Sequence, residues 1–318
     1  RRGIAAVGKG LIAYTAAGAH GSIAQAMDLA GLGSDALRVI AVNDRNQMDG
    51  EALQQAIAAD RDVGLTPFFL AGTVGSVDVG AIDDLDSLAD IGRREGLWFH
   101  LDGAYGALAM LAQDIAPRLK GIERADSIAF DFHKWGQVPY DAGFILVRDG
   151  EIHRQTFAAP TAYLRREKRG MAAGSPWPCD FGPDLSRGFR ALKAWFTLKV
   201  YGAEQLGKMI SKTCALASYL AQRIETLPQL ELLTAVSLNI VCFRYRGEDS
   251  DRVNADIVAA LQESGIAAPS TTIVKGRLAI RVAIVNHRTD TRDIDVLLQA
   301  VLDFGSAYAG RRAVEGMS

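Results

Sequence analysis

The chain has 318 residues, of which 49% are hydrophobic, and its formal net charge is −2. This length predicts about two domains and a large buried core. The near-neutral charge, without a long basic run, argues against a nucleic-acid partner. No apolar stretch is long enough to cross a bilayer, and the N-terminus has no signal-peptide pattern. We therefore expect a cytoplasmic protein with no membrane partner.

Two further features of the composition point the same way. Cys179, Cys214 and Cys242 are an odd number of cysteines without metal-ligand spacing. They predict inert thiols in a reducing compartment and no metal site. The short Arg- and Lys-rich segment 165–169 lies between Ala and Gly residues and favours a flexible loop over a basic binding surface.

The first half of the chain alternates short apolar runs with stretches of helical periodicity. Strands are predicted at 11–15, 37–42, 67–71, 98–101, 127–131 and 143–148. Helices are predicted between them, at 22–30, 48–59 and 85–96. This alternation is typical of βαβ units and a mostly parallel sheet, in which functional residues gather at the carboxyl ends of the strands.

The second half begins with a break in periodicity. Four prolines and three glycines interrupt residues 158–183, which predicts a long loop, either functional and mobile or a disordered surface insert. The remaining pattern is less regular and predicts a smaller α+β domain. Its helices are expected at 186–201, 203–226, 252–264 and 291–304, the last capped by Asp290, and its strands at 238–245 and 278–284.

Two strand ends carry the strongest chemical signal. The strand at 98–101 is followed by Asp102, and the strand at 127–131 is followed by His133 and Lys134. Lys134 follows Asp102 by 32 residues, which suits one crossover between parallel strands. An isolated Asp at a strand end is commonly a cap, and an isolated Lys is commonly exposed. The two together favour a shared functional site.

A lysine amine and a carboxylate are the groups that pyridoxal-phosphate (PLP) chemistry requires. The amine of Lys134 would form a Schiff base with the cofactor. The carboxylate of Asp102 would keep the pyridine nitrogen protonated, so that the ring can accept electrons. The sequence therefore predicts a PLP site.

Further motifs extend this pattern over nearly the whole chain. They are AHGS at 19–22, GTVGS at 72–76, LDGAY at 101–105, FHKW at 132–135, LSRGFRALKAW at 185–195, NIVCFR at 239–244 and LAIRVA at 278–283. With these motifs the sequence resembles the group II PLP-dependent decarboxylases, which include aromatic-L-amino-acid, histidine and glutamate decarboxylases.

The resemblance implies an α/β architecture, the type I (aspartate aminotransferase-like) PLP fold. This fold has a large domain with a mostly parallel sheet, here residues 1–200, and a smaller C-terminal α+β domain, here residues 201–318. It also implies a homodimer with the active site at the interface, pyridoxal 5'-phosphate as cofactor and an amino acid as substrate.

The resemblance assigns roles to six residues. Lys134, His20 and Asp102 are the expected catalytic residues, and His20 would stack on the pyridine ring. The expected cofactor-binding residues are Lys134, His20, Thr73, Asp102, Ala104 and His133. Ala104 would pack on the opposite ring face, Thr73 would hydrogen-bond near the cofactor, and His133 would help to hold the phosphate. Asp131 occupies a position where the family has Asn or Asp, and Arg187 and Arg190 are weaker candidates.

Two departures from the family pattern qualify the expected reaction. The N-terminal segment that supplies a phosphate-binding loop and part of the substrate pocket is not found, so we expect the chain to be a fragment. Many relatives place a Tyr that protonates Cα late in the mobile loop. Here the loop has only Tyr163, early on, and Trp177 and Phe181 lie later. Phe132 replaces a frequent Pro, which we regard as neutral.

Three hypotheses about the function follow from these observations. The first is decarboxylation of an L-amino acid to its amine and CO2, with aromatic amino acids preferred as substrates. The second is another type I PLP enzyme, either an aldehyde-forming oxidative decarboxylase or a carbon–carbon lyase. The third is a non-catalytic dimeric scaffold of the same fold, which the presence of Asp102 and Lys134 disfavours.

Overall fold

The computed structural model describes residues 3–6, 10–158, 167–171 and 173–315. Within them, the first sheet has the strand order β2-β1-β3-β4-β5-β6. Strands β1 to β5 pair in parallel and β6 pairs antiparallel with β5. The strands are β1 (Leu11–Ala16), β2 (Leu37–Ile40), β3 (Thr66–Thr73), β4 (Trp98–Asp102), β5 (Ser127–Asp131) and β6 (Gly143–Val147). All six lie where the sequence predicts them.

Three helices connect these strands: α1 (Ser22–Leu29), α2 (Gly50–Asp62) and α3 (Leu85–Glu95). Asp49 caps α2 by accepting hydrogen bonds from two backbone N–H groups, and Asp84 caps α3 by accepting from the backbone N–H and the hydroxyl of Ser87. A fourth helix, α4 (Gly150–Phe157), follows β6 and is missed by the sequence prediction. Asp149 caps it by accepting from Glu151 N and Ile152 N.

A buried polar cluster lies within the core of the first sheet. Tyr14 on β1 is fully buried, and its hydroxyl donates to Asp60 Oδ2 at 2.9 Å. The Arg38 guanidinium donates to both oxygens of the same carboxylate. The Tyr14 hydroxyl and the Asp60 carboxylate therefore both have hydrogen-bond partners in this cluster, as buried polar groups require.

The second sheet is antiparallel, with the strand order β7-β8-β10-β9. Its strands are β7 (Leu230–Leu232), β8 (Ile240–Tyr245), β9 (Ser270–Val274) and β10 (Arg277–Ala283). The sequence predicts β8 and β10 but misses the two edge strands, because β7 has three residues and β9 is polar and largely exposed. Helices α5 (Ala191–Glu225), α6 (Ser250–Glu263) and α7 (Thr291–Glu315) accompany this sheet, and Asp290 accepts from Arg292 N as expected of a cap.

Helix α5 joins the two cores. Ile210 and Cys214 pack in the core of the first sheet, and residues 216–224 pack in that of the second. The sequence predicts two helices here. The structure confirms the break, because the backbone of Gly202 inside α5 is not helical (φ 78°, ψ 157°) and separates two helical segments, but residues 186–190 are not helical. The predicted domain boundary at 200/201 falls beside this break and stays a prediction.

Helix α5 approaches the first sheet so closely that one position has no room for a side chain. A Cβ at Gly207 would lie 2.0 Å from the carbonyl oxygen of Leu111. This contact fixes α5, and the second sheet that follows it, against the segment after β4. Among the described residues, no helix has both the length and the apolar character needed to cross a bilayer.

Candidate active site

The predicted site residues lie at the carboxyl ends of adjacent parallel strands. Thr73 is the last residue of β3 and pairs in register with Asp102, the last residue of β4. Asp102 in turn pairs with Ala129 on β5, two residues before that strand ends. His133 and Lys134 follow β5 directly. Parallel pairing thus brings groups distant in sequence to one sheet edge.

A cavity of about 1030 Å³ opens at this edge. Its wall is formed by residues of β3, β4, β5 and α1, and of β8 and β10 of the second sheet. All six predicted site residues line it: His20, Thr73, Asp102, Ala104, His133 and Lys134. The structure therefore brings the whole predicted set together.

Lys134 and His133 both lie beside Asp131. Lys134 Nζ is 2.9 Å from Asp131 Oδ2, and His133 Nε2 is 3.6 Å from the same oxygen. His133 Nδ1 accepts a hydrogen bond from Ala142 N at 3.0 Å. The proton of a neutral imidazole is therefore on Nε2, the nitrogen that faces Asp131. The ring of Tyr140 stacks against His133 with 4.2 Å between centroids.

The turn after β4 holds Asp102 and Ala104 in place. Asp102 Oδ1 accepts from Ala104 N at 3.1 Å, and the Ala104 carbonyl accepts from Asp131 N at 3.2 Å. A Cβ at Gly106 would lie 2.4 Å from the Val74 carbonyl oxygen, so only glycine allows this turn to approach the end of β3. The Asp102 carboxylate and the Lys134 amine are consequently linked, because Ala104 contacts Asp102 and Asp131, and Asp131 pairs with Lys134.

Thr73 has an unusual hydrogen-bonding state. The residue is 5% exposed, and its hydroxyl Oγ1 is buried without a hydrogen-bond partner among the described residues. Its backbone N–H donates to Asp83 Oδ2 at 2.8 Å, and Met48 N donates to Asp83 Oδ1 at 2.6 Å. Burial raises the pKa of the Asp83 carboxyl to about 6, although the two N–H donors oppose this shift. The Thr73 hydroxyl therefore has hydrogen-bonding capacity that a polar ligand atom in the cavity could use.

His20 lies at the cavity mouth and is exposed. Ser22 N donates to His20 Nδ1 at 3.2 Å, and the Ser22 hydroxyl lies 2.8 Å from the same nitrogen. These contacts fix the ring plane and leave Nε2 as the N–H donor. The imidazole is thus held as a flat surface at the entrance.

The sequence prediction missed Arg281 as a site residue. Arg281 on β10 lines the cavity, and its guanidinium donates to the carbonyls of Val77 and Asp78. Tyr105 and His100 also line the cavity. Tyr105 stacks on Trp135 at 5.1 Å, and its hydroxyl accepts from Asn239 Nδ2 at 2.7 Å. The alternation of side chains on β4 places His100 on the same face as Asp102, a signal that the sequence contained.

The weaker candidates lie outside the cavity. Arg190 pairs with Asp141 at 2.8 Å, and Arg187 donates to the Pro178 carbonyl at 3.4 Å. Phe181 packs its ring near His153, with 5.3 Å between centroids. Tyr163, the single Tyr of the predicted loop, lies outside the described residues. Within the part of the chain that the structure describes, no group of three or more His, Cys, Asp or Glu could hold a metal ion.

Comparisons with known proteins agree with this geometry. The model of the pyridoxal-dependent decarboxylase conserved domain matches residues 4–246. An aromatic-L-amino-acid decarboxylase of Bacillus atrophaeus is 31% identical over 89% of this chain and 60% of its own length. One of Drosophila lebanonensis is 31% identical over 92% of this chain and 70% of its own length.

Comparison with a solved structure also indicates a PLP-dependent fold. The Oryza sativa TDC crystal structure with PLP and tryptamine superposes with a TM-score of 0.88 at 26% identity, covering 94% of this chain and 63% of that one. The chain thus spans about three fifths of several relatives. The predicted α/β type I PLP fold and the predicted PLP cofactor are confirmed. The chain belongs to the pyridoxal-dependent decarboxylase family.

Proposed function

We propose that this chain carries the active site for PLP-dependent decarboxylation of an L-amino acid to its amine and CO2, with Lys134 as the residue that binds the cofactor covalently. One observation carries the proposal: the Lys134 amine and the Asp102 carboxylate line one cavity from neighbouring strand ends. A scaffold that lacks catalysis has no need for this pairing of groups.

The residues present fit pyridoxal phosphate. Within the described part of the chain the buried Thr73 hydroxyl has no partner, and a polar cofactor atom would supply one. Ala104 is small and leaves room for a flat ring at the cavity wall. Asp102 is the carboxylate suited to the ring nitrogen, and His133 Nε2–H is a donor suited to the phosphate. His20 would cover the exposed face of the ring.

The chain's own residues would bind and orient the substrate. Arg281 and Lys134 are the cationic side chains of the cavity wall, and Arg281 is held rigidly by two backbone carbonyls. The guanidinium suits a substrate carboxylate because its N–H groups match the two oxygens. When bound, pyridoxal phosphate supplies a ring that accepts the electron pair left at Cα after CO2 leaves.

The alternative reaction is an aldehyde-forming oxidative decarboxylation. The segment 164–183 contains no Tyr, whereas Tyr163 precedes it. A Tyr late in this loop would be the expected proton donor to Cα. Because the segment 164–183 has no Tyr, both the amine and the aldehyde product should be assayed. Amine with CO2 identifies simple decarboxylation, whereas aldehyde with ammonia and peroxide identifies the oxidative reaction.

We propose an aromatic L-amino acid as the substrate. The names of the Bacillus and Drosophila relatives and the tryptamine in the rice structure support this choice. Decarboxylation of tryptophan, tyrosine, histidine and glutamate by the same preparation, compared at equal concentrations, would rank the candidates. A preference for histidine or for an acidic amino acid would contradict the proposal.

We also propose a homodimer in the cytoplasm. Strand β6 exposes Phe144, Ile145 and Leu146 by 45–50%, and the start of α5 exposes Trp195 and Phe196. Contiguous apolar surface of this kind is typical of interfaces. Sedimentation equilibrium is expected to give twice the chain mass. A monomer at micromolar concentration would contradict the dimer.

The test of the proposed function is borohydride reduction in the presence of PLP, followed by peptide mass spectrometry. We expect a pyridoxyl adduct on the peptide that contains Lys134, together with CO2 release from an amino acid. Lys134→Arg is the matched control, because arginine keeps the positive charge beside Asp131 but cannot form the covalent bond. A folded protein with no adduct on Lys134 would contradict the proposal.

A further inference from the structure

Three side chains form a hydrogen-bond chain behind the candidate site. Trp98 Nε1 donates to Ser127 Oγ at 2.8 Å, and Ser127 Oγ lies 2.8 Å from His100 Nδ1. Trp98 and His100 lie on β4, and Ser127 lies beside them on β5. Side chains alternate along a strand, so His100 points to the same face as Asp102. Both residues line the cavity.

The hydrogen bonds determine where the His100 proton lies. An indole N–H can only donate, so Ser127 Oγ accepts from Trp98. Ser127 is 5% exposed, and among the described residues His100 Nδ1 is the remaining partner for its hydroxyl hydrogen. Ser127 therefore donates to Nδ1, since buried hydroxyls are rarely left unpaired. A neutral His100 then carries its proton on Nε2.

The second ring nitrogen, Nε2, belongs to a residue of the cavity wall. Among the described residues His100 Nε2 has no hydrogen-bond partner, and this atom is not fully buried. The ring stacks on Phe69 of β3, with 5.7 Å between centroids. Burial lowers the pKa of His100, and the Asp102 charge opposes this shift only in part. Phe69 and Ser127, the neighbours from β3 and β5, carry no charge.

We propose that Trp98 and Ser127 lock His100 as a neutral Nε2–H donor that orients the Asp102 carboxylate through one water molecule, which makes His100 a positioning residue. Residues two apart on one face of a strand have Cα atoms about 7 Å apart, a spacing at which one water molecule can join their side chains. A neutral donor orients the carboxylate without neutralising it. A histidinium would instead compete with the protonated cofactor ring for Asp102. This role rests on the proposed function of Asp102.

Nuclear magnetic resonance tests the first half of the proposal without any cofactor. The chain has five histidines, so the His100 ring signals are assigned by their loss in His100→Gln. Long-range ¹H–¹⁵N spectra of the cofactor-free protein at pH 7 are expected to show the neutral Nε2–H tautomer. Ser127→Ala is expected to remove this fixed tautomer. A protonated ring, or an Nδ1–H tautomer in the unsubstituted protein, would overturn the proposal.

Cofactor binding tests the second half. The Gln amide nitrogen reaches the position of imidazole Nε2, whereas the Asn amide reaches only Nδ1, so His100→Gln and His100→Asn are a matched pair. We expect the PLP dissociation constant to rise about 10-fold in His100→Asn and less than about 3-fold in His100→Gln. Urea unfolding of both cofactor-free variants checks that they are folded.

The outcomes separate the two proposals. If both variants bind PLP as tightly as the unsubstituted protein, and borohydride still labels Lys134, then the role of His100 is wrong and the proposed function stands. If the unsubstituted protein binds no PLP while its His100 tautomer is as expected, the proposed function fails and the role of His100 toward the cofactor fails with it.

Discussion

The candidate nucleophile Lys134 is paired with Asp131, three residues before it, with 2.9 Å between Nζ and Oδ2. Lys134 retains 36% of its side-chain exposure and Asp131 retains 21%, so solvent partly screens the pair. The amine must leave this carboxylate before it can react with a cofactor aldehyde. The pair therefore holds the amine in the cavity while restraining its reactivity.

Asp131→Asn is expected to increase the rate of PLP capture by Lys134. The substitution removes the charge that retains the ammonium group, and a partly exposed pair contributes less than about 1 kcal/mol. The rate should therefore rise by no more than about five-fold, as measured by stopped-flow absorbance of the cofactor. A slower capture in a folded variant would show that Asp131 activates the lysine instead.

Thr73→Val is expected to change stability and cofactor affinity in opposite directions. Valine replaces an unpaired buried hydroxyl with a methyl group, so the free energy of unfolding of the cofactor-free protein should rise by about 1 kcal/mol. The PLP dissociation constant should rise by about five-fold, because the hydroxyl would otherwise pair with the cofactor. Urea unfolding and absorbance titration measure the two effects.

Thr73→Ser is the matched control for this prediction. Serine keeps the hydroxyl and removes only the methyl group, so PLP affinity should stay within about two-fold while stability falls slightly. Equal loss of affinity in the Ser and Val variants would show that the methyl group, rather than the hydroxyl, is the group that matters.

Asp83 is expected to make stability depend on pH between about 4 and about 6. Its folded-state pKa of about 6 lies above the ordinary value of 3.8, so the folded state binds the proton more tightly. The resulting stabilisation is complete below pH 4 and is lost as the pH rises to 6. Relative to Asp83→Asn, the free energy of unfolding should fall by about 3 kcal/mol across this window. If the free energy of unfolding depends on pH in the same way in the unsubstituted protein and in Asp83→Asn, a raised pKa of the buried Asp83 carboxyl is refuted.

Arg281→Lys is expected to weaken substrate binding without weakening PLP binding. Lysine offers a single ammonium group, which cannot contact the Val77 and Asp78 carbonyls and a substrate carboxylate in the same geometry. The KM should rise about 10-fold, with the PLP dissociation constant within about two-fold. Arg277→Lys is the control, because Arg277 lies on the same strand, pairs with Glu231 and is absent from the cavity wall. Equal effects of both substitutions would contradict a specific role for Arg281.

The sequence alone predicted the elements that depend on local pattern. Strand β4 and the following Asp102 are recognisable because an apolar run ends abruptly at a carboxylate, and Lys134 is recognisable from its place after β5. The caps at Asp49 and Asp84 are also local, since each carboxylate bonds N–H groups within the next three residues. Parallel pairing of β3, β4 and β5 then follows from the alternation of strands and helices.

The tertiary structure decided the contacts between distant segments. Arg281 reaches the cavity because α5 fixes the second sheet against the first, a placement that depends on close contacts such as that of Gly207 with Leu111. The unpaired hydroxyl of Thr73 is visible only when every neighbouring donor and acceptor is in position. Short-range periodicity determines secondary structure and strand ends, whereas hydrogen-bond partners across sheets depend on packing that no local pattern encodes.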